Sequence, residues 1–149
     1  MALAFVLWYS VVYFASIVSS TQAIECQGTA RYTLTFQAEW TRQSHQNFPS
    51  DPHFSSLVGC SHKASYVMWT PGIKATTGVK DVAELGSSSA LLREMDIQIN
   101  LKKAHKRYRG NGFFGGTGSR SITDIEVNSE YPLVSFITMI APSPDWFVG

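Results

Sequence analysis

Arg31-Tyr32-Thr33-Leu34-Thr35-Phe36-Gln37-Ala38-Glu39-Trp40 alternates polar and apolar side chains without a break. A period of two puts Tyr32, Leu34, Phe36, Ala38 and Trp40 on one face and the polar residues on the other, so this stretch predicts a half-buried strand. Beyond it, Arg42–Asp51 is polar and runs into Phe48-Pro49-Ser50-Asp51-Pro52, the turn chemistry of a loop. Tyr66–Trp69, closed by Pro71-Gly72, reads as a short aromatic strand. Gly78–Leu85 places Val79, Val82 and Ala83 on one helical face before Gly86 stops it. Ser87-Ser88-Ser89 offers caps for a second helix, in which Leu91, Leu92 and Met95 share a face. Ile97, Ile99 and Leu101 then alternate with Gln98, Asn100 and Lys102, which predicts that this helix gives way to a strand near Asp96. Ile122–Val127 reads as a strand with Asp124 and Glu126 on the same side. Leu133–Ile140 is apolar on both faces and predicts a central, doubly covered strand. Strands outnumber helices and fall at both ends. The expected fold is therefore mainly β, an antiparallel β-sandwich with one or two short helices.

The chain has 149 residues, the size of one domain. Its net charge of +1 creates no global field toward nucleic acid or a membrane surface. Charged residues make up 15% and aromatics 13%, a balance that excludes a disordered chain. Residues 1–23 carry no charged side chain, and Ala2–Val18 is apolar apart from Ser10 and Ser16. The run exits through Ser19-Ser20-Thr21-Gln22-Ala23, whose small residues suit a signal-peptidase site after Ala23. Residues 1–23 are thus expected to be a secretory signal peptide, although no Lys or Arg marks its start. The alternative, an uncleaved membrane anchor, is disfavoured by the polar exit, so residues 24–149 are expected to be secreted with no membrane span. Export makes a disulfide permissible for the two cysteines, Cys26 and Cys60. They form no C-x-x-C pair and no zinc-spaced cluster.

Gly110-Asn111-Gly112-Phe113-Phe114-Gly115 matches G-x-G-x-x-G by letter. A basic run precedes it and Gly116-Thr117-Gly118 follows it, so the strand and helix of a dinucleotide site are missing and a loop is expected. Lys102, Lys103, Lys106, Arg107 and Arg109 hold five of the twelve basic side chains. They are either a solvated strand end or an anion patch for sulfated glycans or lipid phosphates. The histidines His45, His53, His62 and His105 are scattered, and no nucleophile stands in a recognised pattern with a base, so an enzyme is not expected. Asp124, Glu126 and Asp145 lie near the ends of predicted elements, where oxygen ligands suit a hard cation such as Ca²⁺.

A larger pattern joins these pieces. It comprises Tyr32-Thr33-Leu34-Thr35-Phe36 through Trp40, Gly59-Cys60-Ser61-His62, Tyr66-Val67-Met68-Trp69, Gly78 through Gly86, and Leu133-Val134-Ser135-Phe136 leading to Pro142-Ser143-Pro144-Asp145-Trp146-Phe147-Val148-Gly149. In this order they resemble the spondin domain of the F-spondin and mindin family, with an ending closest to mindin. The resemblance implies a secreted extracellular-matrix protein in which a Ca²⁺-dependent β-sandwich serves cell adhesion. It implies metal ligation by Glu126 and Asp145, and a cell-surface receptor or matrix component as partner. The alternative is a recognition protein of innate defence that binds glycan, bacterial lipopolysaccharide or another anion through Lys102–Arg109. A spondin domain continues past Trp-Phe-Val-Gly with another acidic ligand, more strands and a cysteine to pair at the position of Cys26. Residues 24–149 are therefore expected to be its N-terminal, incomplete portion, in a truncated product, fragment or short isoform.

Overall fold

The computed structural model describes residues 27–149. The expected signal peptide, its cleavage site and Cys26 lie outside the described residues. The chain order is β1 (Thr29–Glu39), β2 (His53–Phe54), β3 (Val58–His62), α1 (Thr77–Leu85), α2 (Ser89–Asn100), β4 (Ala104–Arg109), β5 (Phe113–Phe114), β6 (Thr117–Asn128), β7 (Leu133–Ala141) and β8 (Phe147–Val148). Every strand pair is antiparallel. The mainly β expectation with two short helices is met.

The strands form two units. β1 and β6 make a long two-stranded ribbon. In the larger sheet, β3 and β2 lie end to end along one edge of β7, pairing with Leu133–Ile137 and with Ile140–Ala141. β4 and β5 lie end to end outside them. β8 returns along the other edge of β7, opposite Thr138 and Met139. The ribbon covers one face of this sheet through Leu57, Tyr108, Ile122 and Ile125. The helices cover the other through Val79, Val82, Leu91 and Met95, which pack on Val58, Cys60 and Ile137. Each large apolar side chain buried in this way contributes about 1.5–3 kcal/mol.

Two covered faces explain why Val58–His62 shows no periodicity in the sequence: all five residues are buried. Gly59 is required there, because a Cβ would stand 2.3 Å from the Ser135 carbonyl oxygen. The ribbon carries a bulge. Tyr32 faces Ile125 and Leu34 faces Ile122, so Thr123 and Asp124 together oppose Thr33. Asp124 takes the extra residue in the left-handed region at φ 64°, which Asp tolerates better than most residues. This phase shift lets Ile122 and Ile125, three residues apart, both face the core.

Two local expectations fail. Tyr66–Trp69 forms no strand: the Tyr66 N–H closes a turn onto the Lys63 carbonyl (3.1 Å), Met68 enters the core, and Trp69 packs edge-on against Phe147 at 5.4 Å. The second helix does not end at Asp96. It continues to Asn100, because Leu91, Leu92, Met95 and Ile99 follow helical spacing toward the core while Ile97 and Leu101 face solvent. Its end is a Schellman turn, in which Lys103 N–H reaches the Gln98 carbonyl and Lys102 N–H the Ile99 carbonyl, both at 2.9 Å. Lys102 occupies the left-handed position at φ 56°.

Candidate functional site

The face of the sheet edge nearest the start of β7 gathers charge. Arg31 on β1 reaches across the ribbon to both acids of the bulged strand, pairing with Asp124 and with Glu126 at 2.7 Å. The bulge turns Asp124 to the side of Glu126, as expected from the sequence. The pairing hydrogen bond from Arg31 holds the Asp124 carboxyl below its usual range, and the same bond raises the Arg31 guanidinium.

Glu126 is the centre of this cluster. Its side chain is only 18% exposed, and it meets three cationic or ionisable groups: Arg31, His105 Nε2 at 3.4 Å and Lys106 Nζ at 3.6 Å. A second irregularity delivers two of them. Ser61 faces Lys106 and His62 faces Ala104, so His105 is the extra residue of β4. The Tyr108 hydroxyl fixes the strand beneath, accepting from the Glu126 N–H at 2.7 Å and donating to its carbonyl at 3.3 Å. Beside the cluster, Tyr131 stacks on His105 (5.2 Å between centroids, 22° between planes), and the Lys63 ammonium lies 4.9 Å from the Tyr131 ring centre. Lys63 also pairs with Glu130 at 2.8 Å, which lowers the Glu130 carboxyl from its usual range.

Asp145 sits elsewhere. It is exposed on the loop between β7 and β8, and among the described residues it makes no ion pair. Ser143 fixes this loop: its hydroxyl donates to the Ile140 carbonyl (2.5 Å) and accepts from the Trp146 N–H (3.0 Å). Trp146 stands beside Asp145 with 58% of its surface exposed.

The two expected metal ligands adjoin different rows of the sheet. Lys106, which touches Glu126, lies in the row of Ser61 and Val134 near the start of β7. The Asp145 loop adjoins Ile140 near its end. Six residues of strand separate these rows, roughly 20 Å at ~3.3 Å per residue. Among the described residues, no three His, Cys, Asp or Glu side chains come together as a metal site. Glu126 thus stands on β6 and Asp145 on the β7–β8 loop, and the cations around Glu126 compete with any metal ion for its oxygens.

The five basic residues are also divided. Arg107 turns toward the helices and pairs with Asp96 at 2.5 Å, whereas Lys106 turns toward the ribbon and Glu126. Arg109 donates to the Ser56 hydroxyl at 3.3 Å. Lys102 and Lys103 belong to the turn that ends α2. The run does not form one cationic surface. Gly110–Gly115 is followed by β6 rather than a helix, so no dinucleotide cradle forms.

Sequence reasoning missed Arg31, His105, Tyr108 and Tyr131 as members of the acidic cluster. Arg31 was visible only as a polar position in an alternating strand, and its partners lie 93 and 95 residues away, a pairing that local patterns do not carry.

Among the described residues, no helix is long and apolar enough to cross a membrane. The Spondin_N family model matches residues 30–149. The chain is 35% identical to spondin-2 of Rattus norvegicus over 125 residues, covering 80% of this chain and 38% of that protein. It is 37% identical to spondin-1 of Gallus gallus over 128 residues, covering 82% of this chain and 16% of that protein. The chain thus spans well under half the length of these relatives. The ordered strands, the Leu133–Phe136 segment and the Pro-Ser-Pro-Asp-Trp loop lie within the matched region, and the chain belongs to the spondin family of secreted extracellular-matrix proteins.

Proposed function

We propose that this domain is an adhesive module that presents the Pro142–Trp146 loop to a cell-surface receptor or another matrix component. One observation carries the reading: an exposed Trp146 and an acid without an ion pair among the described residues share a loop that Ser143 holds in shape. Exposed tryptophan is the side chain most enriched among residues that dominate protein interfaces, and a pre-shaped loop loses less entropy on binding. The test is attachment of cells to the immobilised protein. Trp146→Ala should reduce attachment about tenfold or more, equivalent to at least ~1.4 kcal/mol. Unchanged attachment with an unchanged melting temperature would remove the loop from the reading.

Calcium-dependent adhesion is a second reading, favoured by Asp145 alone, whose carboxylate is accessible to a hard cation. Glu126 supports it less, being engaged by Arg31. The same attachment assay distinguishes the two. Loss in EDTA, restoration by Ca²⁺ and insensitivity of Asp145→Asn to both would establish calcium dependence; equal attachment in EDTA and Ca²⁺ would leave the first reading alone. Binding of sulfated glycan or lipopolysaccharide through Lys102–Arg109 finds support only in the exposed Lys102, Lys103 and Arg109, since Lys106 and Arg107 are paired with acids on opposite faces. Retention on heparin that survives the combined Lys102→Glu, Lys103→Glu and Arg109→Glu would end that reading.

A further inference from the structure

We propose that Asn111 is a site of spontaneous modification, whose conversion to aspartate turns Arg109-Gly110-Asn111 into an Arg-Gly-Asp ligand for a receptor that carries a divalent cation.

Gly110, Asn111 and Gly112 join β4 to β5. They open the glycine-rich stretch that forms no dinucleotide cradle. In an Asn-Gly pair the next backbone nitrogen can attack the side-chain amide, because glycine puts no side chain in the path. The fold requires glycine here: a Cβ on Gly112 would stand 2.4 Å from the Phe54 carbonyl oxygen and 2.7 Å from the Ser55 carbonyl carbon. The attacking N–H is free. Gly115 N–H donates to the Pro52 carbonyl at 2.7 Å, and the polar groups of an antiparallel strand alternate between its two edges. Gly115 and Phe113 therefore face β2, while the Gly112 N–H points away from it. Among the described residues no backbone carbonyl accepts that N–H. Asn111 itself is exposed, so water reaches its amide.

Water is the one co-reactant. The Gly112 nitrogen gives up its proton and bonds to Asn111 Cγ, the Cγ–Nδ2 bond breaks, and Nδ2 leaves as ammonia. Water then opens the cyclic imide at Cγ, which restores the peptide N–H and leaves a carboxylate at position 111. Opening at the main-chain carbonyl would lengthen the backbone by a carbon. The connection is tied at both ends, by Gly110 N–H on the Leu57 carbonyl at 2.7 Å and by Phe113 opposite Phe54, so the fold accommodates the aspartate product better.

The product is a presented charge pair. A Cβ on Gly110 would point inward, 3.0 Å from Ile122 Cγ1. Successive side chains alternate, so Arg109 and residue 111 share the outward side, and both are exposed. Two extended residues put their Cα atoms about 7 Å apart. A guanidinium and a carboxylate so spaced suit a receptor that takes the first with its own acids and the second as an oxygen ligand of its cation. The neutral amide of Asn111 offers such a cation no charge.

The test compares fresh protein with protein held for weeks at mildly alkaline pH. Mass spectrometry of tryptic peptide 110–120, in which Asn111 is the one asparagine, should show the mass change from asparagine to aspartate. Conversion should be faster at higher pH and lost in Asn111→Gln, whose longer side chain must close a larger ring. Cell attachment is then measured with Trp146 intact and as Trp146→Ala, which separates this site from the Pro142–Trp146 loop. Converted parent and fresh Asn111→Asp should both exceed fresh parent about tenfold, the size of one charge-assisted contact. EDTA, the free peptide Gly-Arg-Gly-Asp-Ser and Arg109→Ala should each remove the gain. Survival of Asn111 unconverted, conversion without a gain, or an equal gain by Asn111→Gln held in the same way overturns the inference.

Discussion

Gly59 shows how little room separates β3 from β7. Its neighbour across the ladder is a backbone carbonyl, which cannot rotate aside as a side chain can. Gly59→Ala should destabilise the domain by about 3 kcal/mol, at the upper end of ordinary overpacking costs; urea denaturation gives the value, and a loss below ~0.5 kcal/mol would show that the sheet relaxes freely. Asp124 and Glu130 make a second residue-level case. Their folded carboxyls are held below their ordinary values of 3.8 and 4.5 by hydrogen bonds from Arg31 and Lys63. A depressed carboxyl contributes stability above its unfolded pKa and loses it as pH falls through the folded value. Stability should thus decline below about pH 4.5, with the Asp124 part lost below about pH 3.8. Both groups face solvent, so salt should weaken the effect. Thermal melts of Asp124→Asn between pH 5 and 2 should fall less steeply than those of the parent; parallel curves would mean that Arg31 contributes nothing through Asp124.

At the scale of elements, α2 ends on a compromise. Lys102 sits where the Schellman turn requires a left-handed backbone, a conformation costing non-glycine residues roughly 1 kcal/mol. Lys102→Gly should raise stability by ~0.5–1 kcal/mol in urea denaturation, and a lower midpoint would show that the lysine makes a compensating contact. The start of α1 is better provided. Thr76 accepts from the Val79 N–H at 3.2 Å, and Glu94 of α2 accepts from the Gly78 N–H at 2.7 Å. These details explain what the sequence disclosed. β1 was legible because one face is wet, although Tyr32 stays exposed despite its place in the pattern. α1 was legible because Gly86 ends it at φ 64°. β3 was not, because burial on both sides erases the period. The extent of α2 was misread because Ile97, Ile99 and Leu101 fit alternation as well as helical spacing, and only packing decides between them. Of the candidate site, the acids on β6 were visible as a pair, but their engagement by Arg31 depends on strand register, which no local pattern states.

At the scale of the molecule, the ribbon and the helix pair each shield one face of the main sheet, and the two shields join it differently. The ribbon pairs the first described strand, β1, with β6, which runs on directly into β7. The helices belong to a single excursion, residues 63–103, which departs from β3 and returns to β4. Its two ends meet where the Lys63 N–H donates to the Lys103 carbonyl at 2.9 Å. Such a neck allows the whole excursion to swing off like a cover on a hinge while the β3–β4 and β3–β7 ladders stay closed, a partial opening of lower cost than global unfolding. Cys60 lies directly beneath that cover, fully buried, with its thiol pushed up to about 12 by burial. The cysteine is thus a tell-tale for the hinge. Its alkylation by iodoacetamide should be slow, and its rate should respond to urea more weakly than global unfolding does. Equal denaturant dependence would mean that cover and sheet come apart only together.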